Sequence, residues 1–274
     1  MLRHVIAPDG VRIACEISGQ GPPLVLVHGA GSARWGFAVL RPQLEDRFTV
    51  IAVDRRGRGD STDGDGYTVE REFEDIAAVV REAPNLAGDG SGDPDAGPYL
   101  FGHSYGGLVS AAGAARIAGL PRLVLYEPPM GGVLADEPII ARWEALIAAG
   151  DPDTAVREFL HDIGGYKQPE IEEFAASPVW ELRKQVAPTI PRELRAEARH
   201  ELDRAALAAL EMPVLMLVGS GSPAWATRST TAYAEALSDV TVRTLEDQGH
   251  GCAVSAPELV AAKVAGFLAG AYDV

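Results

Sequence analysis

Tyr99-Leu100-Phe101-Gly102-His103-Ser104-Tyr105-Gly106-Gly107 decides the reading of this chain. It contains G-x-S-x-G, entered by an apolar strand at Tyr99–Phe101 and followed by a helix of small residues from Leu108 to Ile117. A serine on such a strand-to-helix corner is held in a strained backbone conformation, with its hydroxyl exposed above the sheet edge. The glycines at 102, 106 and 107 suit a turn too tight for side chains, with the helix packed close behind it.

Outward from this corner, strands and helices alternate. Val11–Ile17 alternates like a half-buried strand, and Leu24–Val27 and Phe48–Val53 are continuous apolar runs of the kind found in buried strands. Leu123–Tyr126, Val214–Val218 and Val240–Leu245 extend the series. Thr68–Arg81 carries helical spacing at Phe73, Ile76, Ala77 and Val80, and Pro257–Leu268 reads as a closing helix. Asn85–Gly97, rich in Gly, Asp and Pro, is expected to be a surface loop. Buried strands alternating with helices imply an α/β fold with a mostly parallel sheet. Between Gly131 and Leu210 the pattern becomes helical, for instance at Pro138–Ala149 and at Asp151–Asp162, where Asp151 or Asp153 would cap the N-terminus. The expected organisation is a core of residues 1–130 and 211–274 with a helical cap at 131–210.

The chain has 274 residues, 47% of them hydrophobic and 23% charged, so it is long enough for one large domain with an insertion. Its formal net charge is −15 and it shows no basic patch, which argues against nucleic acid and anionic membrane surfaces as partners. Cys15 and Cys252 form neither a disulfide framework nor a metal-ligand pattern, and no metal or cofactor is expected. Cys252, two residues from His250, is expected to be a small buried side chain. The N-terminal stretch lacks the apolar core of a signal peptide, and no apolar run reaches membrane-spanning length. The expectation is a cytoplasmic protein acting on a small molecule, with its oligomeric state open.

A serine nucleophile needs a base, an acid to orient that base, and donors for an oxyanion. Among the six histidines, His250 in Glu246-Asp247-Gln248-Gly249-His250-Gly251 is favoured as base. It follows a strand, precedes the last helix and has glycine on both sides. His103 adjoins the serine but should point away from its hydroxyl, and His28 should brace a loop. His4, His161 and His200 fall in an N-terminal strand and in the helical segment. The oxyanion donors are expected to be the N–H groups of Tyr105, next after the nucleophile, and of Ala30 in the turn His28-Gly29-Ala30-Gly31.

Through these residues, and through Asp54-Arg55-Arg56-Gly57-Arg58-Gly59-Asp60-Ser61, the chain resembles the α/β-hydrolase superfamily over nearly its full length. The resemblance implies an eight-stranded, mostly parallel sheet with a helical cap after strand 6. It makes the Asp54–Ser61 segment a structural turn near the site. It implies a triad acid a few residues after strand 7, and there the chain departs from the pattern. In Val218-Gly219-Ser220-Gly221-Ser222-Pro223, Ser222 stands where an Asp is usual. Glu127, in Leu123-Val124-Leu125-Tyr126-Glu127-Pro128-Pro129, ends strand 6 instead. Some family members, certain dehalogenases among them, take their acid from that position. Glu127 is therefore expected to replace the missing Asp. Asp247, three residues from His250, is the other candidate and should face solvent. Dehalogenases and epoxide hydrolases of this fold use an Asp nucleophile, so Ser104 disfavours both activities.

The resulting expectation is a serine hydrolase acting on an ester, thioester, lactone or related acyl bond. The alternatives are a lyase, cyclase or acyltransferase using the same site, or a non-catalytic binder of small molecules. Substrate choice should reside in residues 131–210. Trp35, Trp143 and Trp180, together with Tyr105, Phe159 and Trp225, are candidates to line the pocket, which would suit a substrate with an apolar portion.

Overall fold

The computed structural model describes residues 1–88, 97–132 and 134–270. Eight strands form one sheet in the order β1-β2-β4-β3-β5-β6-β7-β8. They are β1 (Leu2–Ile6), β2 (Arg12–Gly19), β3 (Pro23–Val27), β4 (Thr49–Val53), β5 (Tyr99–His103), β6 (Leu123–Tyr126), β7 (Val214–Gly219) and β8 (Val240–Leu245). Pairing is antiparallel at β1–β2 and β2–β4 and parallel from β4 through β8. The continuous apolar runs of β3, β4, β6 and β7 are buried along their whole length, as strands covered on both faces must be. On one face of the sheet, α1 (Val69–Ala87), α2 (Tyr105–Ala114) and the later α9 (Ala224–Ala236) supply Phe73, Ile76, Val80, Leu108 and Tyr233 to the core. On the other face, the closing helix supplies Val260, Val264, Phe267 and Leu268, and a segment after β3 supplies Phe37 and Leu40. Each fully buried aliphatic side chain contributes about 1.5–3 kcal/mol to folding.

The expected loop at Asn85–Gly97 is corrected at its start. Helix α1 runs to Ala87 with Pro84 in its last turn, and it ends at Gly88, whose φ of 68° is left-handed. A proline one turn from the end removes a single hydrogen bond, so the glycine and not the proline sets the terminus. Residues 89–96 of that expected loop lie outside the described residues.

Between β6 and β7 the described chain is helical. It holds α3 (Glu137–Ala148), α4 (Pro152–Asp162), α5 (Gln168–Ala175), α6 (Val179–Val186), α7 (Ile190–Arg199) and α8 (Arg204–Ala208). The caps follow from the sequence. Asp136 accepts from Ile139 N, and Asp151 accepts from Thr154 N at 3.1 Å, each with a proline in the helix's first turn. Asp153, the other candidate cap of α4, instead accepts from Trp180 Nε1 at 2.6 Å and from Arg157. The insertion has its own core, which includes Trp143, Val156, Phe159, Leu160, Ile171 and Trp180. After β7 come α9 (Ala224–Ala236), and after β8 α10 (Cys252–Ser255) and α11 (Pro257–Leu268). No helix among the described residues is long and apolar enough to cross a membrane.

One buried carboxyl makes stability depend on pH. Glu197 on α7 is buried, and Oε2 has no hydrogen-bond partner among the described residues. Burial pushes its carboxyl up to about 8 from the usual 4.5, against the opposing hydrogen bond from Leu134 N. The folded state therefore holds a proton that the unfolded state releases above its own, lower pKa. This contribution is complete below about pH 4.5 and is lost as the pH rises through about 8. Glu197→Gln, which copies the neutral carboxyl in shape, is expected to flatten that decline and to be more stable than the wild type at pH 9. Urea denaturation at pH 5, 7 and 9 checks this. Parallel pH profiles for the two proteins would refute it.

Candidate active site

The parallel register brings three chain segments to one end of the sheet. His103 pairs with Tyr126, and Tyr126 with Leu217, so β5, β6 and β7 finish side by side. The residues just beyond those ends are Ser104, Glu127 and the loop that contains Ser222. In open parallel sheets, ligands bind at the carboxyl ends of the strands.

Ser104 occupies the turn between β5 and α2 with φ 54° and ψ −128°, a conformation that costs a non-glycine residue roughly 1–3 kcal/mol. The turn is fastened at both ends. Ser104 N donates to Tyr126 O at 2.8 Å, and Gly107 N donates to Ser104 O at 2.7 Å. The flanking glycines are needed for contact. A Cβ at Gly102 would come within 2.5 Å of Gly106 O, and a Cβ at Gly106 would overlap the Val27 and His28 carbonyls. The turn His28–Gly31 lies against the serine, where a Cβ at Gly29 would come within 3.0 Å of Ser104 Cβ. Ala30, Ser104, Tyr105 and His250 all line one cavity of about 70 Å³. Tyr105 opens α2, and the first N–H groups of a helix have no partner within it.

His250 Nδ1 stands 2.5 Å from Glu127 Oε2. The other carboxylate oxygen, Oε1, accepts from Gly219 N at 2.7 Å and from Ser222 Oγ at 2.5 Å. Both residues are well buried. Burial pushes the Glu127 carboxyl up, but the His250 contact and the donors from Gly219 and Ser222 outweigh it and hold the pKa below the usual carboxylate value. Glu127 is thus an ionised group carried just beyond the end of strand β6 and reaching over the end of β7 to the loop after β8. Gly219 makes the crossing possible, because a Cβ there would overlap Gln248 O. Glu127 itself has φ 46°, a second non-glycine residue in a left-handed conformation at this site. Ser222, at the usual Asp position, is a hydrogen-bond donor to that carboxylate. Asp247 is exposed, and its backbone N donates to Ser220 Oγ at 2.8 Å.

The imidazole loop is braced from three sides. His103 Nε2 is 3.0 Å from His250 O, Tyr126 Oη donates to Gly249 O at 2.5 Å, and the Trp225 ring stands edge-on to His250 at 5.1 Å. Burial, then the neighbouring His250, depress the His103 pKa to about 3, so His103 is neutral and donates that hydrogen bond. His28 accepts from Arg55 N at 3.2 Å through Nε2, so it is Nδ1 that donates to Gly29 O at 2.8 Å. It braces the loop as expected. Arg55, in the Asp54–Ser61 segment, donates to Gly29 O at 3.0 Å and pairs with Glu72 and with Glu193 of α7. This segment therefore ties the turn at Gly29 to the helical insertion. Both cysteines are buried, and burial pushes the Cys252 thiol up to about 11. Among the described residues no group of three or more His, Cys, Asp or Glu side chains is disposed to hold a metal ion.

A second cavity, about 500 Å³, adjoins the first and shares Tyr166, Arg183, His250 and Gly251 with it. Trp35 and Trp180 line the larger cavity, whereas Tyr105 and Phe159 line the smaller. Trp143 lines neither, and its expected place in the pocket is corrected. It is buried in the core of the insertion, edge-on to Phe159, with Nε1 donating to Glu158 at 3.0 Å. An aromatic ring on an amphipathic helix faces either the helix's own core or a cavity, and spacing alone does not distinguish the two. Sequence reasoning missed Tyr166 and Arg183, which stand in both cavities. No motif marks either residue, because the packing of the inserted helices brings them there.

Residues 24–263 match the profile of the Alpha/beta hydrolase family. A Mesorhizobium japonicum protein named 2-(acetamidomethylene)succinate hydrolase is 37% identical over 108 residues, which span 39% of this chain and 35% of that protein. An Acinetobacter baylyi protein named (E)-2-((N-methylformamido)methylene)succinate hydrolase is 29% identical over 88% of both chains. Among solved structures, an alpha/beta hydrolase from Sphaerobacter thermophilus superposes with a TM-score of 0.80 at 34% identity, over 97% of this chain and 99% of that one.

Proposed function

This chain belongs to the alpha/beta hydrolase family, and we propose that it is a serine hydrolase cleaving an ester, thioester, lactone or related acyl bond. Ser104 Oγ attacks the acyl carbon while His250 takes its proton. Glu127 holds the imidazole in the required tautomer and balances the imidazolium that forms. The N–H groups of Ala30 and Tyr105 receive the oxyanion. His250 returns the proton to the leaving group, and the acyl group stays on Ser104. Water, deprotonated by His250, then attacks that ester, releasing the acid and restoring the serine.

The observation that carries this reading is the ionised Glu127 against His250 Nδ1, with two further donors fixing its second oxygen. A non-catalytic binder would have no use for a buried carboxylate aimed at an imidazole beside a strained serine. The relatives named as hydrolases favour hydrolysis over a lyase or cyclase reaction on the same groups. Their names contain acetamido and formamido groups, so acyl–nitrogen as well as acyl–oxygen bonds belong in a substrate panel. Residues 131–210 are proposed to act as a cap over the site.

A fluorophosphonate is expected to add one equivalent of mass to the protein, at Ser104, and to add none to Ser104→Ala. Intact-mass measurement followed by peptide mapping decides this. Labelling that survives the alanine substitution would remove Ser104 as nucleophile.

A further inference from the structure

Arg183 on α6 is a cation without a counter-ion among the described residues. Its Nη1 donates to Gly31 O at 3.1 Å, and its guanidinium lies over the Trp35 ring, 5.1 Å from the centroid. No carboxylate among the described residues is within ion-pair distance of it, although the chain has 39 Asp and Glu against 24 Lys and Arg. In contrast, Arg55, Arg56, Arg58, Arg192 and Arg195 each sit on carboxylates.

Its surroundings are also distinctive. The cavity at Ser104 is lined by apolar side chains such as Phe159, Leu160, Ile163 and Leu194 together with Ser32, His103 and His250, and among the described residues no Asp or Glu lines it. Among those residues Arg183 is the one Lys or Arg in that lining. Tyr166 lies beside it, with its hydroxyl over Gly251, where a Cβ would meet the phenol oxygen. Burial lowers the Arg183 pKa, and only the Tyr166 phenol offsets this. The outer cavity, which Arg183 also lines, carries the carboxylates Glu170, Glu173 and Asp247 together with Lys167. A half-buried guanidinium facing this cavity beside a phenol, with no carboxylate paired to it among the described residues, has donors to spare for a planar anion.

We propose that the substrates of this hydrolase carry a carboxylate on the acyl chain or leaving group, and that Arg183, with the Tyr166 hydroxyl, binds it. This rests on the reading of Ser104 as nucleophile. Arg183 is then a specificity residue that touches substrate, distinct from the groups that make and break the acyl bond. The competing role is purely structural. Arg183 holds Gly31 O while Arg55 holds Gly29 O, so the two together clamp the peptide units around Ala30.

The test separates the two roles through the labelling of Ser104. The rate of fluorophosphonate labelling is measured with and without adipate, and with the neutral dimethyl adipamide as control. Adipate is expected to slow labelling of the wild type and the diamide to leave it unchanged. In Arg183→Met, protection by adipate, measured against that variant's own unprotected rate, should weaken roughly tenfold to a hundredfold, as expected for loss of a charge-assisted pair. Arg183→Lys should retain part of the protection. A second measurement uses p-nitrophenyl hydrogen adipate and its methyl ester. Arg183→Met should raise KM for the acid at least tenfold more than it raises KM for the methyl ester. Equal losses on both esters, or adipate protection that survives in Arg183→Met or is absent from the wild type, would overturn the proposal and leave the nucleophile reading standing. Failure of Ser104 to label in the wild type would instead defeat the nucleophile reading itself.

Discussion

Glu127→Gln is expected to lower kcat by about 10⁴ while the protein stays folded, the scale seen when a triad acid loses its charge. The geometry says why the loss should be so large. Gly219 N and Ser222 Oγ both donate to Oε1. In the variant, the amide oxygen will turn to those two donors. That leaves the NH₂ group facing His250 Nδ1. An imidazole that must accept at Nδ1 carries its proton on Nε2, and it then has no lone pair with which to take the serine proton. The charge that would stabilise the imidazolium is lost as well. Ser222→Ala removes one donor and leaves Gly219 in place, so its cost should stay within about tenfold. Ser222→Asp combined with Glu127→Gln should recover part of the activity, because the side chain at 222 already reaches the same carboxylate position. Steady-state kinetics on an acyl ester, with thermal denaturation as the folding control, checks the series. Turnover by Glu127→Gln within tenfold of wild type would refute the acid assignment.

Ser104→Ala is expected to lower kcat by roughly 10⁶, and His250→Ala by nearly as much, because nucleophile and base act as a unit. Combining the two should cost little more than either alone. Rate enhancement that remains over water would come from the oxyanion donors and substrate positioning, which neither substitution touches. Single-turnover measurements should show an acyl-enzyme in the wild type and none in Ser104→Ala. A loss that is additive in the double variant would mean that the two residues do not work in the same step.

The local signals in the chain were enough for the fold and for part of the site. Period-two and continuous apolar runs, interrupted by glycine-rich turns, specify buried strands, because a strand covered on both faces tolerates only apolar side chains. The glycines around Ser104 mark a turn that admits no Cβ, which makes the strained serine readable from its neighbours. The cap of α4 was likewise legible as Asp151 or Asp153, since a cap is a contact across three residues, and the structure selects Asp151. Glu127 was reached through the family resemblance, from Ser222 standing where an Asp is usual, but the hydrogen bonds that fix it were not in the sequence. They join residues 92, 95 and 123 positions apart, and only the register of β6, β7 and β8 brings them together. The same holds for the pocket. Trp143 and Trp180 sit on amphipathic helices with similar signals and both belong to the core of the insertion, yet of the two Trp180 also lines a cavity. Arg183 carried no signal at all. Its lack of a carboxylate partner among the described residues is a property of what the tertiary packing leaves out around it, and a linear pattern cannot encode which distant carboxylates fail to arrive.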